Sequence, residues 1–331
     1  MKIGMTYDLR QEYLDMGYSE LETAELDVVE TIEAIEGALL ELGHVPVRIG
    51  HAKALMKALV KGETWDLVFN IAEGLKGAAR EAQVPAILDV YDIPYTFSDP
   101  VVMGLCLNKA LTKQIIRDAG LATSPFVVVN GALPKPLPFA PPFFAKPVAE
   151  GTGMGITEKS IIEDSGALAG ICRDLIRQFR QPVLVEQFLP GREFTVGLTG
   201  TGPDTRVMGT MEIVFTEAAK GQTYSLENKE NWKGRVALRP MAAKEDPLIR
   251  EVERLAFESW NLLGCRDGGR IDIRCDLEGK PNFIEVNPLA GLRPEYSDLP
   301  ILCDYFGTSY VRLIQCILNS ACRRMGGGVG K

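Results

Sequence analysis

The chain has 331 residues, 46% of them hydrophobic and 24% charged, and a formal net charge of −8. That length exceeds what one hydrophobic core usually serves, so two or three domains are expected, with the composition of a globular enzyme. The acidic balance argues against nucleic acid or an anionic membrane as the main partner, and no run of about 18 apolar residues or signal-peptide h-region is present, so the expected location is the cytoplasm.

Met1 to Tyr7 reads as a buried strand, and the stretch from Leu26 to His44 as an amphipathic helix ending at Gly43. Val45 to Ile49 and Trp65 to Asn70 are further strands, followed by a helix over Glu81 to Tyr91 and a strand at Pro94 to Thr96. This alternation predicts a doubly wound parallel sheet over residues 1–98. Asp99 to Gly120 is one helical stretch stopped by Gly120. A Pro-rich connector then leads to strand Phe143 to Lys146, a helix over Ser165 to Phe179 and strand Val183 to Glu186. From Gly191 onward the strands alternate in antiparallel fashion, interrupted by a long polar excursion over 216–235 of the kind that is usually functional or disordered. The predicted fold class is therefore α/β, with an α+β C-terminal half. A central unit at 99–185, a C-terminal unit at 186–325 and a disordered Gly-rich tail at 326–331 complete the organisation. Seven cysteines without CxxC spacing fit free thiols in a reducing compartment. His44 and His51 are the only histidines, which leaves little for a histidine-dependent nucleophile.

The most informative segment is 270–293. Two alternating runs, GRIDIRCD and PNFIEVN, flank Glu278-Gly279 as a hairpin with a two-residue turn. That turn sets Asp272 opposite Glu285, with Asn287 two residues on and on the same face, and Arg270 two residues before Asp272. Oxygen-only donors of this type suit Mg²⁺. On its own, such a hairpin reads first as a solvated polar face, and the segments upstream reverse that reading. Lys146 leads through Pro147 into EGTGMG, comprising Glu150, Gly151, Thr152, Gly153, Met154 and Gly155. There, backbone N–H groups can approach a phosphate and the lysine adds charge. Neither the P-loop pattern nor the Rossmann glycine pattern occurs. In VLVEQFLPGREFTV, Glu186, Phe188, Leu189 and Glu193 could hold an adenine and a ribose. Lys109 taken singly is an ordinary helix lysine.

The order of these segments, Lys109, Lys146 with EGTGMG, VEQFLPGREFTV, Lys229, then RIDIRCD and FIEVNPLAG, resembles the ATP-grasp superfamily. More closely it resembles the D-alanine–D-alanine ligase family, strongly from about residue 95 to 300 and weakly before. The resemblance implies a three-domain ATP-grasp fold and an ADP-forming ligase that makes a peptide bond through an acyl phosphate. The family's setting is peptidoglycan precursor synthesis. It further implies that Lys109, Lys146 and the 150–155 loop contact the phosphates, with Phe283 joining Glu186, Phe188, Leu189 and Glu193 at the nucleotide. Lys229 on the 216–235 loop reaches the γ-phosphate, and two Mg²⁺ (Mn²⁺ being an alternative) sit on Asp272, Glu285 and Asn287. Arg270 and the Gly291 N–H stabilise an oxyanion, and Ser297 meets a carboxylate. Amino acids are the implied substrates, and a homodimer through the N-terminal domain is the implied assembly.

The segment TYDLRQEYLDMGYSELETAELDVVE departs from the family, because it lacks the histidine-glutamate motif that holds the first substrate's ammonium. Its acids, Asp8, Glu22, Glu25 and Asp27, are all candidates for that role. Glu230 stands where the family carries a neutral residue after the loop lysine. Ligation of another amino-acid or peptide pair, and a nucleotide-binding protein without turnover, therefore remain alternatives.

Overall fold

The protein is seen here as a computed structural model that describes residues 1–134, 136–215 and 236–326. Strand β1 (Lys2–Thr6) is followed by helices α1 (Arg10–Asp15) and α2 (Val29–Glu41), strand β2 (Val45–Gly50), helix α3 (Ala52–Val60) and strand β3 (Leu67–Asn70). A single 3-10 turn at Arg80–Ala82 then leads into α4 (Gln83–Val90). The three strands form a parallel sheet in the order β2-β1-β3. Its apolar faces follow from spacing: α2 buries Ile32, Ile35 and Leu39, one stripe at helical period, against Ile3, Met5 and Phe69. The expected strand at Pro94–Thr96 is only a single bridge, Val68 to Tyr95. Pro94 has no N–H to give, so pairing there stops at the bonds Val68 N–H to Pro94 and Thr96 N–H to Val68.

The expected helix over Asp99 to Gly120 is two helices, α5 (Pro100–Leu107) and α6 (Lys109–Asp118), broken at Asn108. Asn108 takes an extended backbone conformation and its side-chain oxygen accepts from Leu111 N–H at 3.1 Å, which caps α6. The break puts Lys109 on the first helical residue rather than in mid-helix. Strands β4 (Phe126–Val129), β5 (Phe143–Pro147) and β6 (Ile161–Ile162), helix α7 (Leu168–Phe179) and strand β7 (Val183–Gln187) complete the middle of the chain. These strands pair antiparallel in the order β4-β7-β5-β6, with α7 packed on one face.

The last sheet is antiparallel, in the order β10-β9-β8-β11-β12. It contains β8 (Glu193–Thr199), β9 (Arg206–Phe215), β10 (Val236–Met241), β11 (Gly268–Cys275) and β12 (Pro281–Asn287). Helix α8 (Leu248–Leu263) lies on it and buries Trp260 completely. After β12 come α9 (Asp298–Tyr305) and α10 (Tyr310–Gly326), whose Leu299, Leu302, Leu313, Ile314 and Ile317 enter the same core as the N-terminal sheet. Of the expected tail only Gly326 is described, and it ends α10; Arg324, just before it, pairs with buried Asp267. Residues 327–331 lie outside the described residues.

The β11–β12 hairpin has a longer turn than expected. Its last pair is Cys275 with Pro281, and the connection is closed by Asp276 N–H to the Lys280 carbonyl at 3.0 Å, with Gly279 at φ +80°. That offset would move every later pair by one position. A second irregularity cancels it: Ile273 faces Phe283 while Asp272 faces Glu285, so Ile284 is the extra residue of a bulge. Asp272 opposite Glu285 and Arg270 opposite Asn287 follow from the two offsets together.

Candidate active site

Two adjoining cavities lie where the three sheets meet. One is lined by Lys146, Gly153, Met154, Glu186, Phe188, Leu189, Glu193, Asp272 and Glu285, the other by Arg270, Asn287, Gly291 and Ser297. Lys109 borders both. The 150–155 loop lies on the divide, with Gly151 and Thr152 facing the second cavity and Gly153 and Met154 the first.

Lys109 donates to the Glu150 carbonyl and stands 3.6 Å from Glu285. Lys146, 3% exposed on β5, pairs with Glu186 at 3.0 Å and comes within 3.9 Å of Glu285. Glu186 also accepts from Lys113 at 2.6 Å and from the Ser124 hydroxyl at 3.0 Å. Burial alone would raise its pKa, but Lys113 and Lys146 together hold it down to about 2. Glu186 therefore neutralises two buried lysines as well as bordering the cavity. Phe188 stacks on Phe144 with centroids 6.4 Å apart and planes 25° apart, and the Arg274 guanidinium lies 5.0 Å over it. Arg274 also holds Glu193 at 2.9 Å. These rings give the cavity one flat apolar wall beside a carboxylate, which suits a stacked base and a hydroxylated sugar.

In the Gly-rich loop, Thr152, Gly153 and Gly155 all have positive φ. A Cβ on Gly155 would come within 2.6 Å of the Pro147 ring and 2.9 Å of the Phe179 ring, so glycine is required there. Thr152, β-branched at φ +51°, is strained of the kind that gathers at ligand loops.

Asp272 accepts from Arg270, from the Thr195 hydroxyl at 2.8 Å and from the Asn287 amide at 3.4 Å. Arg270 reaches Asp298 at 3.7 Å. With two carboxylates and an amide oxygen on adjacent register positions, the donor set fits a hard divalent cation that keeps its other positions for phosphate oxygens and water. A Cβ on Gly291 would lie 2.8 Å from the Ser297 hydroxyl, which accepts from Arg293 N–H at 3.1 Å.

One expected site residue is displaced. Phe283 is fully buried among Phe194, Trp260 and Ile273, away from both cavities, and Ile284 borders the first cavity instead. The bulge at Ile284 is the cause, since one inserted residue turns the side chain before it to the opposite face. Lys229, Glu230 and the 216–235 loop lie outside the described residues.

Of the N-terminal acids, Glu25 and Asp27 line the second cavity. Glu22 stays on the surface bonded to Ser19, and Asp8 is buried with Tyr13 and the Gly74 N–H. Glu25 accepts from Arg80 at 2.6 Å and from the Gly151 N–H, which ties the N-terminal sheet to the phosphate loop. Sequence reasoning missed Arg80, Lys113, and Glu73 and Glu81 on the cavity wall. The available signal was position: the segment following β3 leaves the carboxyl end of a parallel strand, where open α/β sheets bind ligands.

Residues 115–319 match the family model described as D-ala D-ala ligase C-terminus. The chain is 31% identical to D-alanine–D-alanine ligase of Bordetella petrii, with 78% of this chain and 77% of that protein covered. It is 30% identical to the Aquifex aeolicus protein of the same name, covering 88% and 94%. The chain belongs to the D-alanine–D-alanine ligase family. It is also 28% identical, over 90% of its length and 89% of the other, to a Sinorhizobium fredii protein described as uncharacterized. The fold agrees: the crystal structure of D-alanine–D-alanine ligase from Bacillus anthracis complexed with ATP superposes with a TM-score of 0.75 at 20% identity, covering 98% of this chain and 99% of that one. As a member of this family the protein is an ATP-dependent, ADP-forming ligase with an ATP-grasp fold.

Proposed function

We propose that the protein joins two amino acids, phosphorylating the carboxylate of the first with ATP and passing its acyl group to the amine of the second. The observation that carries this reading is the pair of cavities meeting at Lys109 and the Gly-rich loop, one shaped for a nucleotide and one flanked by Arg270 and Gly291. A carboxylate oxygen of the first substrate attacks the γ-phosphorus and ADP leaves. This step needs charge neutralisation and alignment more than covalent help from the protein. Lys109 and Lys146 supply positive charge, and the N–H groups of Thr152 and Gly153 can turn toward phosphate oxygens, while Gly151 N–H donates to Glu25 and Met154 N–H to the Gly151 carbonyl. Asp272, Glu285 and Asn287 would hold Mg²⁺, which adds charge stabilisation to the transferring phosphoryl group when bound.

The amine of the second substrate then attacks the acyl carbon, a tetrahedral oxyanion forms, and inorganic phosphate departs with one oxygen of the original carboxylate. Arg270 and the Gly291 N–H stabilise that oxyanion, and Ser297 stands beside Gly291 to meet the second substrate's carboxylate. Asp272 orients Arg270 through two hydrogen bonds.

Incubation with Mg-ATP and pools of D- and L-amino acids, with phosphate release and new amide masses as readouts, tests the reading. Phosphate release that requires two amino acids and matches an amide product supports it, and ATP hydrolysis independent of amino acids contradicts it. We place the enzyme in the cytoplasm as a homodimer formed through its N-terminal region. Exposed Met56 and Val60 on α3 and Val90 on α4 are apolar side chains that such a contact would cover. Light scattering behind a sizing column tests the dimer.

A further inference from the structure

The second cavity has a wall that ligation of two alanines would leave without a use. Besides Glu25 and Asp27 it carries Glu73, just beyond β3, and Glu81, on the 3-10 turn before α4. Glu25 is already matched by Arg80 at 2.6 Å. Glu81 is 8% exposed and borders the cavity, yet among the described residues it makes no hydrogen bond and no ion pair. Glu73 borders the cavity in the same way and likewise has neither. Glu81 is buried and Glu73 half-buried, and only the longer-range pull of Arg80 on both and of Lys109 on Glu81 offsets their charge; carboxylates so placed are costly to keep and cluster where a ligand supplies what is missing. The strain shows in their ionisation. Burial raises Glu81 to about 7 against the pull of Arg80, and Glu73 is raised by burial and by the charges of Glu81, Glu25 and Asp27.

The missing group is not a bare metal ion. No three acidic, histidine or cysteine side chains among the described residues could hold one, so the carboxylates are spread along the wall rather than aimed at a point. An extended molecule with separated cationic groups fits that spread. Of the cationic side chains bordering the cavity, Arg270 and Arg293 lie with Gly291 and Ser297, where a carboxylate belongs, Lys109 stands 3.6 Å from Glu285, and Arg10 pairs with Glu20. The cavity volume is about 210 Å³.

We propose that the first substrate is a basic amino acid, whose α-ammonium meets Asp27 while a second cationic group on its side chain meets Glu73 and Glu81. This inference rests on the ligase reading for the order of the two substrates, but its binding claim stands apart from turnover. Calorimetric titration with lysine and with norleucine, which lacks only the side-chain ammonium, tests it in both enantiomers. Lysine of one enantiomer should bind at least about tenfold more tightly than the matching norleucine. Glu81→Gln and, as an independent second variant, Glu73→Gln should each reduce that ratio severalfold.

Equal or tighter binding of norleucine, or an unchanged ratio in both variants, overturns the proposal. A parallel assay of ADP release with alanine, lysine and norleucine as first substrates separates the two readings. Dipeptide formation with no preference for lysine rejects this inference and keeps the ligase. A clear lysine preference in binding without ADP release from any amino-acid pair keeps the acidic, cation-binding pocket and rejects the ligation.

Discussion

Glu186 and Glu81 are both buried carboxylates, and their partners set opposite behaviour. Glu186 lies between Lys113 and Lys146, so its pKa is lowered and it stabilises the fold above the ordinary carboxylate range. That contribution should be lost as the pH falls from about 4 toward 2. Glu81 has no such partner and its pKa is raised to about 7. The native state then holds a proton that the unfolded chain releases near its ordinary value, and stability falls as pH rises from about 4.5 to 7. Glu81→Gln is therefore expected to stabilise the substrate-free protein at pH 8, on the order of 2 kcal/mol, and to do little at pH 4.5. Urea unfolding at the two pH values checks this, and a variant less stable than the parent at pH 8 contradicts it. Lys113→Met should cost about 2–3 kcal/mol, below the usual range for breaking a buried pair because Lys146 still covers Glu186. An unchanged unfolding midpoint would show that Lys113 carries no such role. Lys113 looks in the sequence like any helix lysine, because burial is decided by strands 73 residues away in the chain. Glu285 and Asn287 were legible because alternation puts them on one face, and Asp272 falls opposite Glu285 because the longer turn and the bulge at Ile284 cancel.

At the level of elements, the Gly-rich loop and the β11–β12 hairpin determine the geometry of the nucleotide cavity. Gly155→Ala adds a Cβ within 2.6 Å of Pro147 at a backbone angle of +76°, a conformation that costs a side chain about 1–2 kcal/mol before the collision is counted. Its KM for ATP should rise about tenfold or more while the unfolding midpoint moves little, because the loop bears little of the core. A KM within twofold of the parent would mean that the loop does not cradle phosphate. In the hairpin, Glu285→Gln should abolish turnover and preserve the fold, since it removes a ligand charge but no core volume. Near-parental rates at saturating Mg²⁺ would sink the metal assignment. The hairpin also marks the reach of pattern reading. Phe283 and Ile284 are both apolar, so alternation cannot show which of them a bulge turns outward, and only pairing with β11 decides it in favour of Ile284. The break at Asn108 is similar, because apolar spacing continues across it and the cap is seen only in the backbone angles.

Across the whole molecule, the C-terminal helices complete the core that the N-terminal sheet begins, and Arg324 joins the two ends. It pairs with Asp267, which is fully buried, and donates to the Tyr95 carbonyl at 3.1 Å. Asp267 also accepts from Phe97 N–H at 2.7 Å. Arg324→Met should cost about 3 kcal/mol by leaving that carboxylate without its cation, with activity per folded molecule unchanged. Thermal unfolding and specific activity measured on the same sample check both halves. A contact between Arg324 and Tyr95 across most of the chain has no local signature, which is why the role of Arg324 is not read from the sequence. The alternating strands and helices of the first 98 residues were legible because each carries its own period. The way they close against α9 and α10 was not, since that depends on faces matched over long distances. The central claim is that a carboxylate of one amino acid is phosphorylated before the amide forms. Ligation with the first substrate labelled with ¹⁸O in its carboxylate tests it most directly: one ¹⁸O per turnover should appear in inorganic phosphate, whereas amide product accompanied only by unlabelled phosphate would contradict the account.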